Sequence, residues 1–201
     1  MTFVRKRKTK DPCSECFLHK DLCICDQIPV LDLKTKIVLI IHAKELKRTT
    51  NTGRLALKAL SNSVMKVRGE LHKQLDLRDL LVEDYDTLLF YPSKDAVDLT
   101  PEFLKQFKKP IQLLVPDGNW RQASKVHTRQ PELKAVPRVM ISKPNNNPLH
   151  LRVETTEEGM ATLEAIAEAL RVIEGEEVFE KIQKVYLAKL ENTLKGRGQL
   201  A

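Results

Sequence analysis

The sequence has no long hydrophobic run. Its longest apolar stretch is the segment Ile37–Ile41, whereas a membrane-spanning helix needs about 20 apolar residues. The basic first ten residues carry the charge of a signal peptide but are not followed by its apolar segment. We therefore expect a cytoplasmic protein with no membrane partner.

Glycine, aromatic residues and the common nucleotide-binding motifs are also scarce. The 201 residues include 7 glycines and 5% aromatic residues, and neither GxGxxG nor the Walker phosphate loop occurs. Their absence argues against a dinucleotide-dependent enzyme and an NTPase. Hydrophobic residues (42%) and charged residues (30%) are present at globular levels, which excludes a disordered chain. The length suits one compact domain with at most a small appendage.

Positive charge exceeds negative charge, with 34 Lys and Arg residues against 27 Asp and Glu residues. Part of the excess lies in a basic N-terminal arm, which contains Arg5, Lys6, Arg7, Lys8 and Lys10. A basic arm favours a polyanionic partner, of which nucleic acid is the commonest. A solvated tail that aids solubility is the alternative at this point.

All four cysteines lie within residues 13–25, as a C-x2-C pair and a C-x-C pair: Cys13, Cys16, Cys23 and Cys25. Disulfide-linked secreted domains normally spread their cysteines along the chain, whereas this clustering brings four thiolates to one point. Four thiolates suit Zn²⁺ in a closed, structural site. We therefore predict a zinc-binding cysteine knuckle (residues 13–25). An iron–sulfur cluster and four free thiols are the alternatives.

Beyond the cysteine knuckle, short apolar runs alternate with helical patterns. Runs around residues 37–41, 87–91, 111–115 and 136–141 predict strands, and the first is typical of a strand buried on both faces. Helices are predicted after Thr100, after Trp120 and in two apolar stripes, Leu163–Leu170 and Val178–Tyr186. Residues 57–67 have helical spacing, although their second half also suits a strand. The pattern predicts an α/β fold with a mainly parallel sheet that binds ligands at its carboxyl edge.

Polar residues follow two of the predicted strands. The segment from His42 to Arg54 combines an imidazole, an acid and several cations beside a predicted helix start. It predicts a phosphate- or substrate-binding loop, with a well-capped connection as the alternative. Asp117 ends the third strand, where an acid can accept a proton or orient a nucleophile, or simply form a turn. Glu164 lies outside the apolar stripe of its helix, so we expect it to be solvated.

Five motifs occur in a fixed order along the chain. They are the cysteine knuckle, the run from His42 to Leu55, Phe90-Tyr91-Pro92 with Asp95-Ala96, Asp117-Gly118-Asn119-Trp120 with Ala123, and Thr162-Leu163-Glu164-Ala165. In this order they resemble the DTW-domain proteins, the tRNA-uridine aminocarboxypropyltransferases. The resemblance extends from Cys13 to the helix after Ala165. The family signature is Asp-x-Thr-Trp, and Asn119 stands here in place of the threonine.

The resemblance implies transfer of the 3-amino-3-carboxypropyl group of S-adenosylmethionine to N3 of a tRNA uridine, with release of methylthioadenosine. It also implies a SPOUT-like fold with a C-terminal trefoil knot, in which residues 1–30 form the basic arm and cysteine knuckle and residues 31–201 the catalytic domain. An S-adenosylmethionine-dependent RNA methyltransferase and a non-catalytic zinc-containing RNA-binding module are the alternatives. No protein partner is implied, and the sequence does not decide between a monomer and a homodimer.

The resemblance further assigns roles to residues of these motifs. Asp117 is the candidate base for the N3 proton, while Asn119 and Trp120 shape the same turn. S-adenosylmethionine is expected to bind loops that contain Phe90, Tyr91, Pro92, Pro116, Gly118, Met160, Thr162 and Leu163. The tRNA is expected to contact His42, Glu45, Arg48, Asn51, Thr52 and Arg54. Of these, Arg48 and Arg54 would join the basic arm in holding phosphates, and His42 and Asn51 would contact the uridine.

Overall fold

A six-stranded sheet forms the middle layer of the fold. The structure, a computed structural model, describes residues 11–142, 151 and 159–200. The strands are β1 (Lys36–His42), β2 (Ser63–Arg68), β3 (Asp86–Phe90), β4 (Val97–Asp98), β5 (Ile111–Asp117) and β6 (Arg138–Met140). The helices are α1 (Gly53–Ala59), α2 (Pro101–Leu104), α3 (Trp120–Arg129), α4 (Thr162–Glu174) and α5 (Glu176–Gly196). The strands lie in the order β2-β1-β5-β3-β6-β4, and neighbouring strands pair in parallel. The predicted parallel α/β sheet is confirmed.

Strand β1 is buried because each of its faces meets a different layer of the fold. Successive side chains of a strand point to opposite faces. Ile37, Leu39 and Ile41 therefore pack in one apolar cluster with α1, α4 and α5. Val38 and Ile40 pack in a second cluster, with α3 and residues 77–80. The strand predicted to be buried on both faces is confirmed.

Residues 57–67 divide between the end of α1 and strand β2. Val64 and Val67, which have helical spacing in the sequence, instead pair in register with Val38 and Ile41 of β1. The exposed edge of β1 offers backbone hydrogen bonds, and this tertiary pairing overrides the local helical pattern. Of the two structures considered for the second half of this segment, the strand is confirmed.

The predicted starts of helices α2 and α3 and the predicted end of α3 are confirmed, whereas α2 ends at Leu104, earlier than the helix predicted to continue to Lys109. The Thr100 hydroxyl accepts a hydrogen bond from the Phe103 N–H at 3.1 Å, so it caps the start of α2. Helix α3 ends at Arg129, before Pro131. The sequence did not predict β4, whose two residues pair with β6 and are not part of an apolar run.

The cysteine knuckle packs on helix α5. Leu18 and Ile24 are buried in the same apolar cluster as the helices of this face. The Nζ of the fully buried Lys189 donates a hydrogen bond to the Cys16 carbonyl at 2.5 Å. The Asn192 side chain donates to the Leu22 carbonyl at 3.0 Å. These contacts show that the cysteine knuckle packs against the α/β layers.

Two sequence-based expectations stay predictions. The trefoil knot involves the C-terminal part of the chain, and residues 143–150 and 152–158, between β6 and α4, lie outside the described residues. The division of the chain at residue 30 likewise stays a prediction. The basic arm lies outside the described residues as well. Among the helices that the structure describes, none has the length and apolar character needed to cross a bilayer.

Candidate active site

The strand order places three of the sequence motifs side by side. Strand β5 lies between β1 and β3, so the segments that follow these three strands emerge at one edge of the sheet. His42 ends β1, Asp117 ends β5 and Tyr91 follows β3. Ligands of parallel sheets bind at such a carboxyl edge. The predicted meeting point of the motifs is therefore present, and we call it the carboxyl edge.

Asp117 lies at the centre of the carboxyl edge. It is 6% exposed, and its two carboxylate oxygens accept hydrogen bonds from two different elements. The Asn51 Nδ2 donates to Oδ2 at 2.5 Å, and the Thr162 hydroxyl donates to Oδ1 at 2.6 Å. Hydrogen bonds from these donors stabilise the ionised form of a carboxylate. The buried Asp117 side chain thus joins the start of α1, the end of β5 and the start of α4.

A second contact fixes α4 beside α1. The hydroxyl of Thr52, itself buried, accepts a hydrogen bond from the Leu163 N–H at 3.2 Å. Gly53 permits the close approach of α1 to strands β5 and β1, because a Cβ atom there would lie 3.0 Å from the Asp117 Oδ2 and 3.0 Å from the Leu39 Cδ1. The structure thus brings Asn51, Thr52 and Thr162, all predicted site residues, into contact around Asp117.

His42 lies beside Asp117 at the same edge, between two glycine-containing turns. A Cβ atom on Gly69 would lie 2.8 Å from the His42 Nε2, and one on Gly118 would lie 3.6 Å from the His42 Cβ. The His42 Nδ1 accepts a hydrogen bond from the Lys44 N–H at 3.2 Å. Burial, and after it the positive charges of Arg68 and Lys44, lower the pKa of His42 below its ordinary value. The imidazole is therefore neutral at pH 7, and its Nδ1 serves as an acceptor.

Asn119 and Trp120 form the start of helix α3. The Asn119 Oδ1 accepts from the Gln122 N–H at 2.9 Å, while the Gln122 Oε1 accepts from the Asn119 N–H at 2.9 Å. This capping box is a complete structural role for Asn119 at the position of the family threonine. Trp120 is 44% exposed, and its ring meets the Tyr91 ring edge-on with centroids 6.2 Å apart.

The residues predicted to bind S-adenosylmethionine lie along the carboxyl edge as well. Phe90 and Tyr91 are largely buried, and Pro92 is exposed. The Tyr91 ring stacks on the His127 ring with centroids 4.9 Å apart. Pro116 and Gly118 flank Asp117, and Met160 precedes α4. Their role in cofactor binding stays a prediction.

Three further predicted tRNA contacts have partners within the protein. Glu45 is buried, and one of its carboxylate oxygens lies 3.2 Å from the Arg48 Nε. The Arg54 guanidinium donates to the Leu46 carbonyl at 3.0 Å and lies 4.7 Å from the centroid of the Phe17 ring. Arg54 thereby connects the loop before α1 to the cysteine knuckle. Phosphate binding by Arg48 and Arg54 stays a prediction.

The cysteine knuckle brings its four sulfur atoms to one point. The Sγ atoms lie within 4.8 Å of one another. The distance is 3.7 Å for Cys13–Cys25, 3.7 Å for Cys16–Cys23 and 3.6 Å for Cys13–Cys23. Four thiolates bound at about 2.3 Å to a single tetrahedral ion would be separated by about 3.8 Å. The residues present therefore fit one metal ion with a closed shell of sulfur ligands.

A cluster of cations near the carboxyl edge was not singled out in the sequence. Arg121, Lys125 and Arg129 recur every four residues along α3. This i, i+4, i+8 spacing, in a segment without acidic residues from Gly118 to Gln130, is a signal that the sequence carries. Arg68, at the end of β2, and Lys44 join them only through the fold, because they follow other strands of the sheet.

Comparison with known protein families gives a match that spans most of the chain. A family model of the DTW domain matches residues 10–194. The chain belongs to the DTW domain family. The resemblance drawn from the five motifs is thereby confirmed.

Individual relatives of this DTW-domain chain are distant. The protein named tRNA-uridine aminocarboxypropyltransferase 2 from Mus musculus is 24% identical over 176 residues, which cover 85% of this chain and 59% of that protein. The protein of the same name from Drosophila melanogaster is 28% identical over 173 residues, 83% of this chain and 68% of that protein. The chain thus spans 59% of the length of the mouse relative.

One solved structure is also similar. It is the SAM-dependent rRNA:acp-transferase Tsr3 from Vulcanisaeta distributa, with 15% sequence identity and a TM-score of 0.43 over 82% of this chain and 85% of that chain.

Proposed function

We propose that this DTW-domain protein transfers the 3-amino-3-carboxypropyl group of S-adenosylmethionine to N3 of a tRNA uridine. The observation that carries the proposal is the convergence of the family motifs on one buried carboxylate. Asn51, Asp117 and Thr162 come from three separate motifs and are joined by two hydrogen bonds. The names of the mouse and fly relatives, tRNA-uridine aminocarboxypropyltransferase 2, support the same reaction.

The reaction forms a bond between uridine N3 and the Cγ of the methionine part, and it breaks the bond from that carbon to sulfur. The electron pair of the broken bond stays on sulfur, so the cationic sulfonium becomes the neutral thioether of methylthioadenosine. The co-substrate supplies this electrophilic carbon when it is bound. The N3 proton must leave, and we assign its acceptance to Asp117, an acid at the carboxyl edge.

The side chains at the carboxyl edge suit the charged and uncharged parts of the co-substrate. The Asp117 carboxylate is a buried negative charge suited to the region of a cationic sulfonium. The Tyr91 ring and the apolar side chains of Phe90 and Leu163 suit the uncharged parts of the molecule. Holding Cγ rather than the methyl carbon in line with N3 selects the group that is transferred. We also propose that the chain has the SPOUT-like fold with a C-terminal trefoil knot that the family resemblance implies.

We further propose that the cysteine knuckle binds one structural Zn²⁺. Its sulfur–sulfur distances of 3.6 and 3.7 Å match a single central ion. A four-iron cluster places each thiolate on a different iron atom and needs wider separations. A closed shell of four thiolates leaves no position for substrate, so the ion would serve folding. Metal analysis of the purified protein, with one zinc and no visible colour as the expected result, tests this assignment.

The transfer is tested by mass spectrometry of nucleosides from unmodified tRNA incubated with the protein and S-adenosylmethionine. We expect a uridine to gain the aminocarboxypropyl mass with the wild type and not with Asp117→Asn, which keeps the size of the side chain. Asp86→Asn is the matched control. Asp86 is the first residue of β3 and accepts backbone hydrogen bonds from Lys108 and Lys109 at 2.9 and 2.8 Å, but it lies at the opposite edge of the sheet.

Each other outcome contradicts a stated part of the proposal. Transfer of methyl label instead of carboxypropyl label would make the protein a methyltransferase. Binding of tRNA without any transfer, and without affinity for S-adenosylmethionine, would make it a non-catalytic RNA-binding module. Full activity of Asp117→Asn would remove Asp117 from the role of base while leaving the reaction in place.

A further inference from the structure

We propose that helix α3, together with Arg68 and Lys44, forms the surface that binds the RNA backbone. We call it the α3 basic surface and define it by Arg121, Lys125, Arg129, Arg68 and Lys44. The inference rests on the proposed function, in which RNA is the substrate, and adds where that RNA lies. It differs from the expectation drawn from the family resemblance, which gave the phosphates to Arg48, Arg54 and the basic arm.

The cations of α3 form a row along one side of the helix. Residues four apart lie on neighbouring turns, so Arg121, Lys125 and Arg129 point the same way. With a rise of about 1.5 Å per residue, the row is about 12 Å long. Its opposite side, with Ala123 and Val126, is buried against the sheet. The row therefore faces away from the core.

Arg68 and Lys44 extend this row across the ends of β1 and β2. Arg68 pairs in register with His42, and the Lys44 N–H donates to the His42 Nδ1 at 3.2 Å. A Cβ atom on Gly118, just before α3, would lie 3.6 Å from the His42 Cβ, so both cations lie next to the start of α3. Arg129, followed by burial, Arg121 and Arg68, lowers the pKa of Lys125. Burial and then Arg129 lower the pKa of Arg68. Cations that lower one another's pKa form a region of positive potential that attracts anions.

The cations of the α3 basic surface lack acidic partners among the described residues. The ion pairs among the described residues involve other cations, such as Lys66, which pairs with Asp79 at 2.6 Å. Arg48 and Arg54, by contrast, already have partners within the protein. Like charges held together without carboxylates destabilise the folded chain unless a polyanion neutralises them. This arrangement is what phosphate binding requires.

The α3 basic surface also adjoins the carboxyl edge. Helix α3 starts three residues after Asp117, at the half-exposed Trp120. Aromatic side chains next to cations are the usual platform for unstacked RNA bases. The edge-on contact with Tyr91 holds the Trp120 ring in place. Phosphates along α3 would thus bring a splayed-out nucleotide to the start of the helix, where Asp117 lies.

The test compares tRNA affinity and its salt dependence between two triple variants of equal charge. The first carries Arg121→Gln, Lys125→Gln and Arg129→Gln. The second, the control, carries Lys105→Gln, Lys108→Gln and Lys109→Gln, three exposed cations at the opposite edge of the sheet. We expect the first variant to bind tRNA at least tenfold more weakly, with a log K against log salt slope smaller by about 2 to 3. The control should bind like the wild type.

A third variant, Trp120→Ala, should lose about tenfold in affinity and keep the salt slope, since stacking is not ionic. Equal losses in the two triple variants would overturn the proposal, because net charge alone would then explain binding. Wild-type affinity in the α3 variant would overturn it as well. Circular dichroism and retained metal would show that each variant is folded.

Failure of the proposed transfer and failure of this inference give different results. RNA binding that depends on α3, in a protein that transfers no group, would keep the binding surface and reject the reaction. Transfer that proceeds with unchanged KM for tRNA in the α3 variant would keep the reaction and reject the surface. In the expected case, the α3 variant has a raised KM for tRNA and a nearly unchanged kcat.

Discussion

The Asn51 side chain donates a hydrogen bond of 2.5 Å to the Asp117 carboxylate, and both residues are almost fully buried. The same Asn51 accepts from the Arg54 N–H at 3.2 Å. A single amide thus connects the first turn of α1 to the charged group at the end of β5. A buried carboxylate needs such donors, because leaving it short of a hydrogen bond is costly.

Removing the Asn51 amide should therefore destabilise the protein. We expect Asn51→Ala to lower the free energy of unfolding by about 2 kcal/mol, the usual cost of losing a hydrogen bond to a buried charge. Thr128→Val, which removes a hydroxyl that bonds within α3 at an exposed position, should change it by less than about 0.5 kcal/mol. Urea denaturation followed by circular dichroism measures both. Equal stabilities for the two variants would contradict the role given to Asn51.

Gly53 should be intolerant of even a methyl group. A Cβ atom there would lie 3.0 Å from the Asp117 Oδ2, so we expect Gly53→Ala to lower the free energy of unfolding by about 1 to 3 kcal/mol. Gly196→Ala, at the end of α5, is the control, because its Cβ would meet the Leu22 Cδ1 at an ordinary 3.5 Å. Alanine in that helix should leave stability unchanged or raise it. Thermal unfolding of the pair checks both expectations.

Lys189 should stabilise the cysteine knuckle. Its buried ammonium group bonds at 2.5 Å to the carbonyl of Cys16, one of the four clustered cysteines. A metal ion with two positive charges and four thiolates carries a net charge of −2, which a nearby cation offsets. We expect Lys189→Met to release bound metal to a chelator several times faster than the wild type.

The matched control for Lys189 is Lys184→Met, at an exposed position of the same helix. Both changes remove one positive charge, so they differ in burial and in contact with the cysteine knuckle. The same release rate for the two variants would mean that Lys189 contributes through net charge alone.

The acidity of His42 should depend on Arg68. Its pKa is lowered by burial and then by Arg68 and Lys44, so Arg68→Gln should raise that pKa toward the ordinary value of 6.5. Because the unfolded chain binds this proton more readily, His42 lowers stability as the pH falls through 6.5 toward the folded-state pKa. NMR titration of the imidazole measures the shift. Arg78→Gln, where the exposed Arg78 pairs with Asp76, should leave it unchanged.

Local sequence patterns predicted the elements whose structure is determined by their own residues. The run Ile37–Ile41 is apolar throughout because both faces of β1 are covered, and Thr100 with Pro101 marks the start of α2. The second half of residues 57–67 was ambiguous, since its strand state depends on pairing with β1. Such pairing is a property of the whole sheet and leaves little trace in a short segment.

The sequence motifs named residues that meet at the carboxyl edge but did not show the contacts between them. The family motifs named Asn51, Asp117 and Thr162, but spacing along the chain does not show which atoms meet. The expectation that Glu164 is solvated was wrong, because it is 6% exposed. Its carboxylate accepts from the Ala161 N–H at 3.4 Å, at the start of α4, where a buried acid satisfies a helix terminus. The position of a residue outside the apolar stripe of its helix does not reveal whether the folded protein buries it.

The contacts around Asp117 and Thr52 join residues that are 66, 45 and 111 positions apart in the chain. Contacts between distant residues require the closure of long loops and form slowly. The four cysteines lie within residues 13–25, so contacts between them require only short loops. The cysteine knuckle can therefore gather its ligands while most of the chain is still unfolded. The carboxyl edge exists only after β1, β5 and α4 have docked. We therefore expect metal binding by the cysteine knuckle and assembly of the carboxyl edge to be separate steps of folding.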